Sequence, residues 1–520
     1  MKVLLVTGQM AKNAVESYAK QSQVETEVLA LNVPVAAFLT PQKISEALKK
    51  VNLVGFDLIL IPGLIRGDAT VVLESVGVAA FKGPQYAADL PVVLEMLADM
   101  KLSTTVPADE LLKEKMKQSA LAKLAQVETN RKALLKKPGN LLVGSLAVGK
   151  SFPMRVLAEI VDAALLRDSE IQHLAQRYVA EGADLIDVGM VAGESRPGDA
   201  ERAVVAAKAA VNVPVSIDSM DPAEINAAVS AGVDLILSVD AGNLAALNPL
   251  PDNVAVVVIP TNQREGTFSK DAEERVILLE KVIAKARSLG VNKVLGDIIL
   301  DPSDVSGSFC AYRRFAERNP SVPIFVGISN ITELIDADSI GVNALLAWLS
   351  SEVGATMLLA SQKSDKVQGS VNEEAAASKM MFLAKMRGSV PKDLGIDLLQ
   401  LKDKRNREEH YCLNLEKNAR VLLAEDAEQQ AVLDKKGCFK VFVDRENQCI
   451  VVAHFNSSNL TNPDFVVKGK TAETMYDKLL QAKLISSLSH AAYLGSELTK
   501  AEIALRIGKE YIQDKAMFTK

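Results

Sequence analysis

Between residues 182 and 219 the chain reads GADLIDVGMVAGESRPGD, then a spacer rich in alanine and valine, then VPVSIDS. Two short apolar runs, 185–188 and 213–217, each lead into a carboxylate-bearing turn, so Asp187 and Asp218 fall at or just past the ends of two expected strands. The spacer, 200–211, is long enough for one crossover helix. A strand–helix–strand unit of this length requires the two strands to run parallel. In a parallel barrel, ligands bind where strands end and loops begin. Two aspartates at two such ends form a polar floor facing one small ligand; their plainer role is to cap the helices that follow.

The same alternation recurs. Apolar strand candidates lie at 141–146, 184–189, 213–218, 234–239, 254–259, 294–300, 323–328 and 355–360, with helical patterns between them. Eight strand–helix units predict a (β/α)8 TIM barrel over residues 140–388; a doubly wound open sheet is the alternative. Further strand ends carry short polar side chains: Ser238, Asp240 and Asn243 after the fourth, Asp301 after the sixth, Ser329 and Asn330 after the seventh. Asn330 also suits a helix N-cap.

The flanks differ in texture. Residues 1–95 read as an N-terminal α/β domain with strands near 2–7 and 57–61. Gly8, Gly63 and Gly67 would let backbone amides approach a phosphate, but the spacing of a Walker loop or dinucleotide fingerprint is missing, and tight turns in a docking domain are the plainer reading. Residues 96–139 are charged and helical in pattern, a linker stopped by Pro138-Gly139. Residues 389–520 read as a C-terminal α+β domain, with a hairpin around Arg445, Glu446 and Asn447 followed by helices.

With 48% hydrophobic and 24% charged residues, the 520-residue chain is globular rather than disordered, and its net charge of −6 argues against a nucleic-acid partner. Four cysteines without a CxxC pair fit a reducing cytoplasm and no zinc site. Neither a signal peptide nor a membrane span is expected. Cys310 reads as a small hydrophobe, and His173, His410, His454 and His490 show no ligand spacing.

IDVG followed by GESRPGD, with SIDS on the next strand, resembles dihydropteroate synthase and the pterin-dependent methyltransferases that share its barrel; the flanking segments resemble those of archaeal proteins related to that synthase. The resemblance implies a reduced pterin of folate or methanopterin type as ligand. Asp301 would hold the 2-amino/N3 edge, Asp218 the other ring, and Asp187 would join them. Ser238 stands where the family has an asparagine, with Asp240 or Asn243 as substitutes. The synthase reaction condenses a pterin diphosphate with an aryl amine and uses Mg2+. Its first-loop asparagine is replaced by Ser145, and its cationic residues after strands seven and eight are absent. Lys150, Arg196, Lys363 and Lys366 are the candidates for replacement charge. The methyltransferase branch instead places an asparagine, here Asn330 of GISN, beside the methyl-bearing nitrogen. A corrinoid or other methyl acceptor would then belong to another protein, since no Asp-x-His-x-x-Gly motif is present. A non-catalytic pterin-binding subunit is the third reading, and the family allows a homodimer.

Overall fold

The computed structural model describes residues 1–98, 100–247, 249–392, 394–401, 419–422, 434–458 and 461–518, which fall into two compact units, 1–408 and 409–520. His410 and Cys412 lie outside the described residues.

The chain opens with four parallel strands, β1 (Lys2–Gly8), β2 (Glu25–Leu31), β3 (Leu58–Ile61) and β4 (Ala80–Lys82), in the order β2-β1-β3-β4. The runs LLV and LILI are buried because apolar clusters cover both faces of the sheet. A Cβ at Gly63 would lie 2.4 Å from the carbonyl oxygen of Gly83, and one at Gly8 would lie 2.8 Å from the amide nitrogen of Ala36. These glycines therefore let neighbouring loops close on each other. The helix Ala108–Thr129 follows, and its Glu128 meets the buried Arg155 at 2.7 Å.

The barrel does not begin where the apolar count placed it. Residues 141–146 belong to an antiparallel hairpin, β5 (Asn140–Val143) and β6 (Leu146–Gly149), and the first barrel strand is β7 (Arg155–Ile160). Then come β8 (Leu185–Gly189), β9 (Val215–Asp218), β10 (Leu235–Val239) and β11 (Ala255–Val258). A short ribbon of β12 (Thr261–Asn262) and β13 (Thr267–Phe268) precedes β14 (Val294–Gly296), β15 (Ile324–Val326) and β16 (Ala355–Ser361). The eight parallel strands close as β7-β8-β9-β10-β11-β14-β15-β16, with β16 pairing back to β7.

Side-chain alternation sorts each strand into an outer and an inner set. Val156, Ala158, Ile186, Val188, Ile217 and Ile236 pack outward against the helices. Leu157, Leu185, Leu235, Leu237, Leu295, Phe325 and Met357 point inward, and Val143 and Val148 of the hairpin join them. The hairpin is therefore a plug at the amino ends of the strands. Its turn confirms the placement: a Cβ at Gly144 would meet Asp234 and Pro214, which immediately precede β10 and β9.

A local repeat sets the strand starts. In GADLI and GVDLI the glycines Gly182 and Gly232 adopt positive φ at helix ends, and the aspartates accept the amide of the neighbouring strand. Asp184 accepts from Val156 N and Asp234 from Val215 N, each at 3.0 Å.

The second unit is an antiparallel sheet of β17 (Cys438–Asp444), β18 (Cys449–Phe455) and β19 (Phe465–Gly469), with helices Ala472–Gln481 and Leu488–Ile507 packed on it. Residues 445–448 make the expected hairpin turn. No helix among the described residues is long and apolar enough to cross a membrane.

Candidate functional site

Inward alternation that places leucines in the barrel centre places acids one step nearer the carboxyl ends. Leu157-Ala158-Glu159, Leu185-Ile186-Asp187 and Leu295-Gly296-Asp297 are the same pattern at the ends of β7, β8 and β14, and Asp218 ends β9. Glu159 and Asp187 are direct cross-strand partners. Glu159, Asp187 and Asp218 each bring a carboxylate oxygen within 4.8 Å of the other two. A Cβ at Gly189 would sit 2.6 Å from Glu159 Oε1, so the glycine that ends β8 makes room for this carboxyl.

Asp187 is fully buried; its Oδ1 accepts the Ser216 hydroxyl, and its Oδ2 has no partner. Burial, then the charges of Asp218 and Glu159, push its carboxyl well above the usual range. Burial raises Glu159 to about 8, with Asp218, Glu333 and Asp162 adding to the rise and Lys363 opposing it. Asp218 rises to about 6 through burial and the nearby Asp297. Asp297 is itself raised to about 6 by burial, although it accepts the Tyr312 hydroxyl and the Ile299 amide (2.8 Å). These four acids leave the barrel mouth rich in acceptors, and three of them offer the hard oxygens that Mg2+ takes.

Glu159 and Asp297 are the residues that sequence reasoning missed. Asp301, expected at the end of the sixth strand, lies beyond it, half-buried at the start of a turn. Hydrogen bonds from the Ser303 hydroxyl (2.7 Å) and amide (2.8 Å) hold its carboxyl below the usual range. With Phe268, Ile299, Asn330, Glu333 and Leu334 it lines a recess of about 360 Å3. Asn330 is exposed in the short helix Ser329–Thr332, which has no side-chain cap. Asp240 is fully buried and saturated by four donors: the amides of Gly242, Asn243 and Gln263 and the Thr261 hydroxyl. Asn243 in turn joins Ser238 O to Asp240 N. Asp240 and Asn243 thus shape the loop after β10, and Ser238 contributes its carbonyl to that network.

The expected cations are engaged or elsewhere. Lys363 pairs with Asp162 at 2.7 Å, and Lys366 donates to the carbonyls of Glu333 (3.0 Å) and Ile335. Arg196, after β8, meets Glu194 at 2.5 Å and Asp199 at 3.5 Å. Ser145 and Lys150 are not at the mouth: Ser145 is in the turn of the plugging hairpin, and the Lys150 stem crosses Gly354, just before β16 begins. Both stand at the amino ends of the strands because the hairpin, counted as a strand, precedes the barrel.

Comparison with known proteins agrees in its broad outline. Residues 161–357 match the pterin binding enzyme family, residues 433–514 match PterinBD-DUF4346, and residues 1–85 match a family of unknown function, DUF6513. An uncharacterized protein of Methanocaldococcus jannaschii is 40% identical over 532 aligned residues, 100% of this chain and 99% of that protein. Dihydropteroate synthase from Xanthomonas albilineans, solved with 7,8-dihydropteroate, is 22% identical at a TM-score of 0.38, covering 49% of this chain and 100% of its own. The Yersinia pestis dihydropteroate synthase is 19% identical at a TM-score of 0.38, covering 49% of this chain and 100% of its own.

Proposed function

Since the chain belongs to the pterin-binding enzyme family, together with the uncharacterized M. jannaschii protein that it matches end to end, we propose that its barrel mouth binds a reduced pterin and acts on it as a transferase. The observation that carries this reading is the set of inward carboxylates Glu159, Asp187 and Asp218 on the adjoining strands β7, β8 and β9, with Asp297 after β14 near enough to raise Asp218. The 2-amino group and N3–H of a pterin donate side by side and match one carboxylate bidentately. A ligand that satisfies buried acceptors gains from each, since an unsatisfied one costs about 1–3 kcal/mol. Asp187 Oδ2 is a buried polar atom without a partner, and Asp218 and Asp297, raised to about 6, keep their carboxylates ionised near neutrality.

Of the two transferase reactions, methyl transfer has the better support. Condensation expels diphosphate, which needs cations, whereas Lys363, Lys366 and Arg196 are bound to acids and carbonyls of the loops around the mouth. In methyl transfer the methyl carbon passes from a ring nitrogen to a nucleophilic acceptor, and the C–N bonding pair stays on the nitrogen. That nitrogen then needs a proton, and Glu159, held protonated near neutrality, can give one. Asn330, on the rim, would hydrogen-bond the same nitrogen. The acceptor, a corrinoid protein or another nucleophile, belongs outside this chain. If condensation is the reaction, Glu159, Asp187 and Asp218 would hold the Mg2+.

Calorimetric titration separates these readings. A methylated tetrahydropterin should bind more tightly than either an unmethylated one or a pterin diphosphate. Preference for the diphosphate, strengthened by Mg2+, would restore condensation. Equal binding of all three without turnover would leave a binding subunit, and absence of binding would remove the pterin.

A further inference from the structure

At the amino ends of the barrel strands lies a cavity of about 600 Å3, larger than the recess at the mouth. Its volume is within the roughly 300–1,000 Å3 of small-molecule sites. Its walls come from the segment after the plugging hairpin and from helices Val305–Arg318, Ser339–Glu352 and Ser370–Arg387. The hairpin and the last helix contribute Lys150 and Lys385, which also share a narrower adjoining recess. Neither lysine has an acidic partner or a side-chain hydrogen bond among the described residues. The Lys150 stem lies across Gly354, where a Cβ would come within 3.2 Å of its Cε, so a glycine at the start of β16 leaves it a lane.

Burial lowers the Lys150 pKa first, and repulsion from Lys385 lowers it further. Lys150 is half-buried and Lys385 exposed, and both line the same recess, so an anion seated there would face two cations and relieve their repulsion. Lys385 alone would be explained as a cation in the last turn of its helix; that accounts neither for Lys150 nor for their convergence. On the opposite wall Arg313 is loosely paired with Glu352 at 3.9 Å, and Glu317 is the other acid. The apolar side of the cavity is given by Trp348, 38% exposed, with Met381 and Ala384.

We propose that this cavity is a second binding site, separate from the mouth, for a small organic anion. Its acid group lies between Lys150 and Lys385 and its flat apolar body lies against Trp348. The site stands whether or not the mouth binds a pterin.

Trp348 is the one tryptophan of the chain, so intrinsic fluorescence of the full-length protein reports on this cavity. Phenyl phosphate, benzoate, inorganic phosphate and benzyl alcohol are the probes. The expected result is saturable quenching by phenyl phosphate or benzoate, whichever acid group fits, and binding of benzyl alcohol weaker by about tenfold or more, the worth of one charge-assisted contact. Lys150→Met and Lys385→Met should each weaken the preferred probe about tenfold, with melting curves to confirm that the variants fold. Calorimetry on Trp348→Phe should still detect the ligand, with reduced affinity. No saturable change with either organic acid, an equal response to benzyl alcohol, or unchanged affinity in both folded lysine variants would overturn the proposal. Quenching that follows protein concentration instead of probe concentration would also overturn it, pointing to contact between copies of the chain.

Discussion

Asp184, just before β8, and Asp187, within it, stand three residues apart, and the chain treats them in opposite ways. At the amino end, Asp184 accepts the Val156 amide and meets Arg155 at 3.6 Å, and its counterpart Asp234 accepts the Val215 amide and meets Lys208 at 3.2 Å. At the carboxyl end, Asp187 has one oxygen without a partner and stands among Glu159 and Asp218. A carboxylate that holds a strand in place finds its donors within the fold. Acids that crowd together with an oxygen left over destabilise the chain and fit a role outside folding. At the carboxyl end Asp240 is also saturated from within, so it is the crowding of Glu159, Asp187 and Asp218, with Asp297 facing them, that marks the acids awaiting a ligand.

The sharpest test of that division is Asp297→Asn, which replaces one acceptor of the mouth by a donor. It should cost about 2–4 kcal/mol of reduced-pterin affinity, roughly 30- to 1000-fold, while the amide oxygen can still accept the Tyr312 hydroxyl and the Ile299 amide and so keeps most of the stability. Unaltered affinity in calorimetry would take Asp297 out of the ligand floor. Asp184→Ala should do the reverse: it strands the Val156 amide and leaves Arg155 with Glu128 as its one acid, lowering stability by about 1–3 kcal/mol in urea unfolding while a pterin still binds. Loss of binding without loss of stability would break the comparison.

Glu159→Gln tests the pH side. The folded chain keeps the Glu159 proton up to about 8, whereas an unperturbed glutamate releases it near 4.5. The unfolded state therefore binds fewer protons in that window, and the folding stability due to this group falls as pH rises from about 4.5 to about 8. Glutamine removes that decline, so the variant should gain on the parent steadily between these values; parallel stability curves would show that Glu159 titrates normally. The smallest effect is reserved for Asp301→Asn. A half-buried turn residue outside the acid cluster, already occupied by Ser303, should change pterin affinity by less than about threefold. A larger loss would return the recognition role to the outer turn.

The strands β8 and β9 were legible because each is an apolar run closed by an acid, with a helix-length spacer between. Glu159 was hidden by the charge at both ends of its strand: RVLAE begins with a buried arginine whose partners, Glu128 and Asp184, are distant in sequence. The more apolar hairpin 141–146 took its place in the count, and Ser145 and Lys150 were carried to the wrong end with it. Asp297 was concealed differently. The apolar residues 298–300 after it extend the run, but Ile299 has a φ of +66° and the strand has already stopped at Gly296. The Leu-x-acid pattern shared by β7, β8 and β14 was the available signal, and it reads clearly only once the inward face is known. Loop roles were illegible for another reason: whether Asp240 or Lys366 faces a ligand depends on donors and carbonyls brought in by other loops.

The hairpin plug has a kinetic consequence. With Val143 and Val148 fully buried among the barrel leucines, the well has one opening. A molecule seated on the floor acids arrives before anything that settles on the rim, and departs after it. Under the transferase reading proposed above, two-substrate turnover would follow a compulsory order, and a rim occupant left in place would lock the deeper molecule in. An inhibitor resembling the outer substrate should therefore grow more potent as the inner one approaches saturation.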